Sequence, residues 1–217
     1  MSNPPTPPFV VVPFSETAYC EALASRFAER SRDALPQPAR YLLGYLEHLQ
    51  AATIVVEYEY TDGDYLDDVA TYYVKSFADY PRRCRRLHFF SEVFSEEAFR
   101  STLVNGAQSA ALTPVDAASP VPPDLDLQVS YLGFIVVRPL PNAIIGRTVL
   151  ATYDADGGRR YYPAVKEYIA HLFGIELRVQ SLAYQQQDTV LAACATVALW
   201  SAFQKTATLF NTISPTP

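Results

Sequence analysis

The sequence predicts an α+β fold, and three features point to it. The segment TIVVEYEY (53–60) and the segment VSYLGFIVVRP (129–139) are dense in β-branched and aromatic residues, as strands are. Before residue 53, apolar side chains recur at helical spacing instead. Near the other end, 192–209 is apolar on most faces and reads as a buried helix. The expected plan is a helical N-terminal region, a central mainly antiparallel sheet, and a buried helix near the C-terminus carrying Cys194.

Each element has a local cause. Residues 1–13 are proline-rich and predict an extended arm. Ser15 is placed to cap a helix through Tyr19, Leu23 and Phe27. Pro36 and Pro38 end that pattern, and Pro38 falls in the first turn of a second helix through Tyr41, Leu42, Tyr45 and Leu49. After the strand at 53–60, the turn at 61–64 leads to Leu66, Val69, Tyr73 and Phe77, again at helical spacing. Beyond Pro81, a strand is expected over Cys84–Phe90, then a helix from Ser95 with Glu96, Glu97 and Phe99 in its first turns. Residues 107–127, rich in Ala, Ser and Pro, predict the longest loop or linker. Past the strand at 129–139, a neighbour is expected at 145–152, and 166–184 stays open between two strands divided at Gly174 and a short helix around His171. This gives an extended arm (1–13), an N-terminal α/β region (14–106), a linker (107–127), and a sheet with the terminal helix (128–217). The closing ISPTP has the look of an unfinished fold.

Composition narrows the function classes. With 49% hydrophobic and 18% charged residues in 217, the chain can bury a sizeable core and is not a disordered segment. A net charge of −6 argues against nucleic-acid binding, which draws its affinity from basic surfaces. The opening MSNPPTPPF has neither the basic nor the apolar stretch of a signal peptide, and no apolar run is long enough to span a bilayer. The 3 cysteines, Cys20, Cys84 and Cys194, are widely spaced, which speaks against a disulfide framework or a zinc site. A cytoplasmic protein without cofactor or metal is the expectation.

The segment QQQDTVLAACATVALWSAF, 185–203, carries the chemistry. A thiol at a helix N-terminus is held near unpaired N–H groups and the positive end of the helix dipole, which favours thiolate. A glutamine just upstream can donate its amide to an oxyanion. Glutamine, short loop, then a cysteine opening an apolar helix resembles the nucleophile segment of papain-like cysteine peptidases, including the double-glycine branch, whose Q-x-D order is kept by Gln186 and Asp188. The resemblance covers about residues 184–205 and implies Cys194 as nucleophile and Gln187 as oxyanion donor, with a peptide or protein as substrate. The family's histidine lies far downstream of its cysteine, but no histidine follows Cys194. His171, just before the nucleophile loop, is the expected base within the chain; His88 is the other upstream choice, and a histidine from another chain is equally open. In the competing reading Cys194 is a small apolar residue in a buried helix, and the chain is a non-enzymatic interaction module completed by a partner chain.

Two charged groups have structural readings. Asp62, Asp64, Asp67 and Asp68 depart from the spacing of an EF-hand loop and are better placed to stabilise a helix N-terminus. The run RRCRR (82–86) borders an apolar strand and is expected at a solvated edge or against an internal acidic partner. Arg138 and Arg147, at the ends of neighbouring strands, suit a carboxylate from a substrate or from the protein itself, and an internal one is expected.

Overall fold

The computed structural model describes residues 7–24, 35–75, 80–111, 125–140, 143–186 and 194–213. The fold is mixed α and β. Five strands, β1 (Phe9–Pro13), β2 (Thr53–Tyr60), β3 (Cys84–Phe90), β4 (Tyr131–Val137) and β5 (Ile145–Leu150), form one sheet in the order β1-β2-β3-β4-β5. Every pairing in it is antiparallel. The proline-rich arm is extended as expected, and from Phe9 it is the edge strand, with Val10 opposite Val56. β3 and β4 flank the expected linker at 107–127 and are hydrogen-bonded neighbours, so 14–106 and 128–217 share one sheet.

Alternation along the strands gives the sheet two apolar faces. Ile54, Val56, Leu87, Phe89, Ile135 and Ile145 meet α1 (Glu16–Leu23) and α2 (Gln37–His48) in one core. Ser15 caps α1 by accepting from the Ala18 amide at 3.1 Å, and α2 has proline in its first turn. Phe27 of the expected first helix lies outside the described residues.

The opposite face carries Val55, Phe90, Phe134, Val136 and Val149. It is covered by α3 (Gly63–Thr71), α4 (Glu96–Ala111), the short α5 (Leu127–Ser130), the hairpin β6 (Lys166–Leu172) and β7 (Ile175–Ser181), and α6 (Cys194–Leu209). Gly174, at φ +93°, makes the hairpin turn, which settles the segment as two strands rather than a short helix. Phe173 at that turn lies 5.1 Å from Phe9, so the hairpin reaches across to β1.

α6 departs from the expectation of a buried helix. Val197, Trp200, Gln204 and Ala207 form the stripe that meets the platform, whereas Leu199 and Phe203 are 53% and 46% exposed. An apolar pattern on most faces does not say which faces find a partner, and one stripe suffices to dock this helix. Among the described residues, no helix is long and apolar enough to cross a membrane.

Candidate functional site

The stretch leading to α6 is fixed to the edge of the sheet. Tyr184 bridges Thr148 through N–H···O bonds of 2.9 and 2.7 Å. The Gln186 amide donates to the Ile145 carbonyl at 3.1 Å, and its side-chain Oε1 accepts from the Ile145 amide at 3.1 Å. Gln186 is therefore a clip on β5 rather than a free side chain. From this edge, Gln185 and Gln186 face Val197, Ala198 and Ser201 of α6 across a cleft of about 410 Å³.

α6 is described from Cys194 to Leu209, and residues 187–193 before it lie outside the described residues. Residues three, four and seven apart share a helix face, so position 194 stands in register with Val197, Ala198 and Ser201. The side chain of Cys194, and the whole of Gln187 and Asp188, lie outside the described residues.

All 3 histidines are described, and none lines this cleft. His171 is exposed on β6, on the side opposite Ala170 and Leu172, which enter the core. Its carbonyl accepts from Arg86 Nη2, which ties that part of the hairpin to β3 rather than to β5. His48 is exposed on α2 with its ring 5.6 Å from that of Tyr153.

His88 is fully buried in a polar cluster on the sheet. Its Nδ1 lies 3.0 Å from the Tyr131 hydroxyl and its Nε2 lies 3.5 Å from Glu57 Oε2. Arg86 Nε donates to the same Glu57 oxygen at 2.7 Å and its guanidinium lies 4.1 Å from the Tyr60 ring centroid. Burial pushes the His88 pKa down to about 4, so the imidazole is neutral at pH 7. Burial works against ionised Glu57, but His88 and Arg86 together hold its pKa below the usual carboxylate value. Held between the Tyr131 hydroxyl and Glu57, His88 is a neutral brace within the core.

The acidic group and the arginines resolve into internal pairs. Asp62 caps α3 by accepting from the Tyr65 amide at 3.0 Å, and its other oxygen takes Arg147 Nη2 at 2.7 Å. Arg138 Nη1 lies 3.7 Å from Asp68 Oδ2. Within the RRCRR run, Arg86 meets Glu57, and Arg83 donates to the Thr61 hydroxyl. Among the described residues, no group of three or more His, Cys, Asp or Glu side chains is placed to hold a metal ion.

One feature was not legible in the sequence. A pocket of about 580 Å³ lies between α2 and the outer edge of β5, walled by Tyr41, Tyr45, Tyr162, Tyr184, Leu150 and Leu182. Its one local signal is the Tyr41–Tyr45 pair, four apart on α2, with ring centroids 6.2 Å apart. Its other walls come from segments more than a hundred residues away.

Compared with known proteins, the chain matches no family model, no curated protein and no solved structure.

Proposed function

We propose that this chain is a papain-like cysteine peptidase or a related thiol acyl-transfer enzyme with Cys194 as its nucleophile. The observation that supports the reading best is the placing of Cys194 on α6, in helical register with Val197, Ala198 and Ser201, which wall the cleft opposite Gln185 and Gln186. A thiolate there draws stabilisation from the first N–H groups of the helix. It adds to the carbonyl carbon of an amide or thioester, forming the C–S bond. Gln187 donates to the resulting oxyanion, as the family pattern implies. Collapse expels the amine or thiol, which takes up the proton, and water then cleaves the acyl-thioester to a carboxylic acid and the free thiol. The proton acceptor is a histidine supplied by another chain, or His171 if the hairpin that carries it, which does not line the cleft, comes within reach.

The test is the pH dependence of iodoacetamide labelling at each cysteine of the folded protein, read by peptide mass spectrometry. Cys194 is expected to label fast, with an apparent pKa well below the roughly 8.5 of a free thiol. Cys20 and Cys84, both buried, should stay silent until denaturation. A Cys194 that labels only on denaturation overturns the reading. A raised apparent pKa in His171→Ala puts the base in this chain; an unchanged one puts it outside.

The outer face of α6 favours a second reading, a non-enzymatic module whose partner chain covers Leu199, Phe203 and Phe210. It calls for an inert Cys194, so the same labelling experiment separates the two.

A further inference from the structure

We propose that the tyrosine-walled pocket between α2 and β5 is a binding site for a small, uncharged aromatic molecule of two or three fused rings. The site uses no residue of the thiol reading above. It is graded from floor to mouth. Leu42, Thr148 and Leu150 are buried and form its floor, and Tyr45 and Tyr162 are half-buried and form its walls. Tyr41, Leu182 and Tyr184 stand exposed at the mouth. Exposed apolar side chains are ordinary when scattered, but these three share one opening. At about 580 Å³ the pocket lies within the ordinary range of small-molecule sites.

The protein itself holds the walls in place. The Tyr45 hydroxyl donates to the Ala151 carbonyl at 2.8 Å, and the Tyr45 ring sits 4.4 Å from that of Tyr153. The Arg160 guanidinium lies 5.1 Å from the Tyr153 ring centroid, which ties the loop after β5 to the same stack. Tyr184 is fixed to β5 by its paired main-chain bonds to Thr148. Walls already in place lose little freedom when a ligand enters, so more of the contact energy appears as affinity.

The lining selects the occupant. No charged side chain is among the described residues that line the pocket. An ionised ligand would lose water there and gain no counter-charge, which is strongly unfavourable. Burial pushes the Tyr45 hydroxyl up to about 12, so this wall stays uncharged at pH 7 as well. The hydroxyls of Tyr45 and Thr148 both donate within the protein, to the Ala151 and Gly146 carbonyls, so the inner part offers ring and methyl surface rather than protons. Four tyrosine rings favour a flat aromatic partner over a saturated one, because rings stack with a gain beyond their burial.

Calorimetric titration at pH 7 with three probes of one two-ring skeleton tests this. 2-Naphthol is neutral and aromatic, 2-naphthoate is aromatic but anionic, and decahydro-2-naphthol is neutral but saturated. 2-Naphthol is expected to fill one site with a Kd below about 100 µM. Naphthoate should bind at least about tenfold more weakly, and the saturated alcohol at least about threefold. Tyr41→Ala and Leu182→Asp, both at exposed positions, should weaken 2-naphthol about fivefold or more with little change in the thermal melt. Leu182→Lys should instead strengthen naphthoate roughly two- to fivefold, a gain that a misfolded variant cannot give. No saturable binding of 2-naphthol up to about 1 mM overturns the site. Equal binding of naphthoate overturns the selection against charge, and equal binding of the saturated alcohol overturns the aromatic class. Affinities unchanged in all three variants place the molecule elsewhere and overturn the assignment to this pocket.

Discussion

Arg138 donates to the carbonyl oxygen of Gln186 at 3.0 Å, so the end of β4 holds the stretch that follows β7. The same buried guanidinium donates to the carbonyls of Ala143 at 3.0 Å and Ile145 at 3.3 Å. Arg138 therefore adds side-chain hydrogen bonds to segments that the β4–β5 ladder and the Gln186–Ile145 pair already join.

Replacing Arg138 by methionine should be severe. The change leaves three carbonyls and Asp68 without their cation in the interior, a loss of about 3–5 kcal/mol. Arg138→Lys should recover little of it, because one ammonium cannot reproduce the fork. Urea unfolding measures both variants; a loss below about 1 kcal/mol in the methionine variant would mean that solvent replaces the guanidinium.

The buried His88 sets a pH dependence whose sign follows from its depressed pKa. The folded value is about 4, and the unfolded value is about 6.5. Between them the unfolded chain binds a proton that the folded chain does not, so stability is full above the upper value and falls as pH drops toward the lower. The loss over that window is roughly 3 kcal/mol. Glu57, with its lowered pKa, adds a further loss in the same direction at more acid pH. Urea midpoints at pH 7 and pH 4.5 should differ clearly in the native protein and much less in His88→Asn, whatever that variant's absolute stability. An equal acid loss in both would assign it to other groups.

Gly133 in β4 has φ +113°, and a Cβ built there would stand 2.0 Å from the Val149 carbonyl oxygen. Gly133→Ala should cost at least about 2–3 kcal/mol through backbone strain and forced separation of β4 from β5. Gly63, the first residue of α3, has nothing within 4 Å of such a Cβ. Gly63→Ala should be neutral or stabilising by up to about 1 kcal/mol. Thermal melts of the two variants should therefore move apart.

The two sides of α6 should respond oppositely to mutation. Trp200→Ala removes a buried indole and should cost about 3–5 kcal/mol. The double change Leu199→Lys and Phe203→Lys should stay within about 0.5 kcal/mol per site and reduce binding of the dye ANS. A large stability loss in the lysine variant would show that the outer face is packed in the native protein.

Legibility in the sequence followed how local each cause was. β2 and β3 were readable to the residue because β-branched and aromatic runs are bounded by turn residues at both ends. The pairing of Phe9–Pro13 was not, since its partner β2 supplies the edge it joins. Arg138 and Arg147 were readable as holders of internal carboxylates, but which carboxylates depended on α3 folding over that face. The helix that carries Cys194 was legible from its apolar run, whereas the exposure of Leu199 and Phe203 was not, because sequence does not reveal how wide a platform the helix meets. The tyrosine pocket was hidden for the most general reason: its walls converge only after the tertiary fold has formed.

The strand order of the main sheet is also the order of the strands along the chain. Each strand pairs with the one made just before it, so the sheet can zip up as the chain leaves the ribosome, without waiting for distant segments. Strands complete by Leu150 then present a finished surface to the hairpin, and α6 arrives last, as a latch closing on a door already hung. If the sheet forms before α6 docks, changes at Trp200 speed unfolding and leave the folding rate nearly untouched, which stopped-flow chevrons of Trp200→Phe would show.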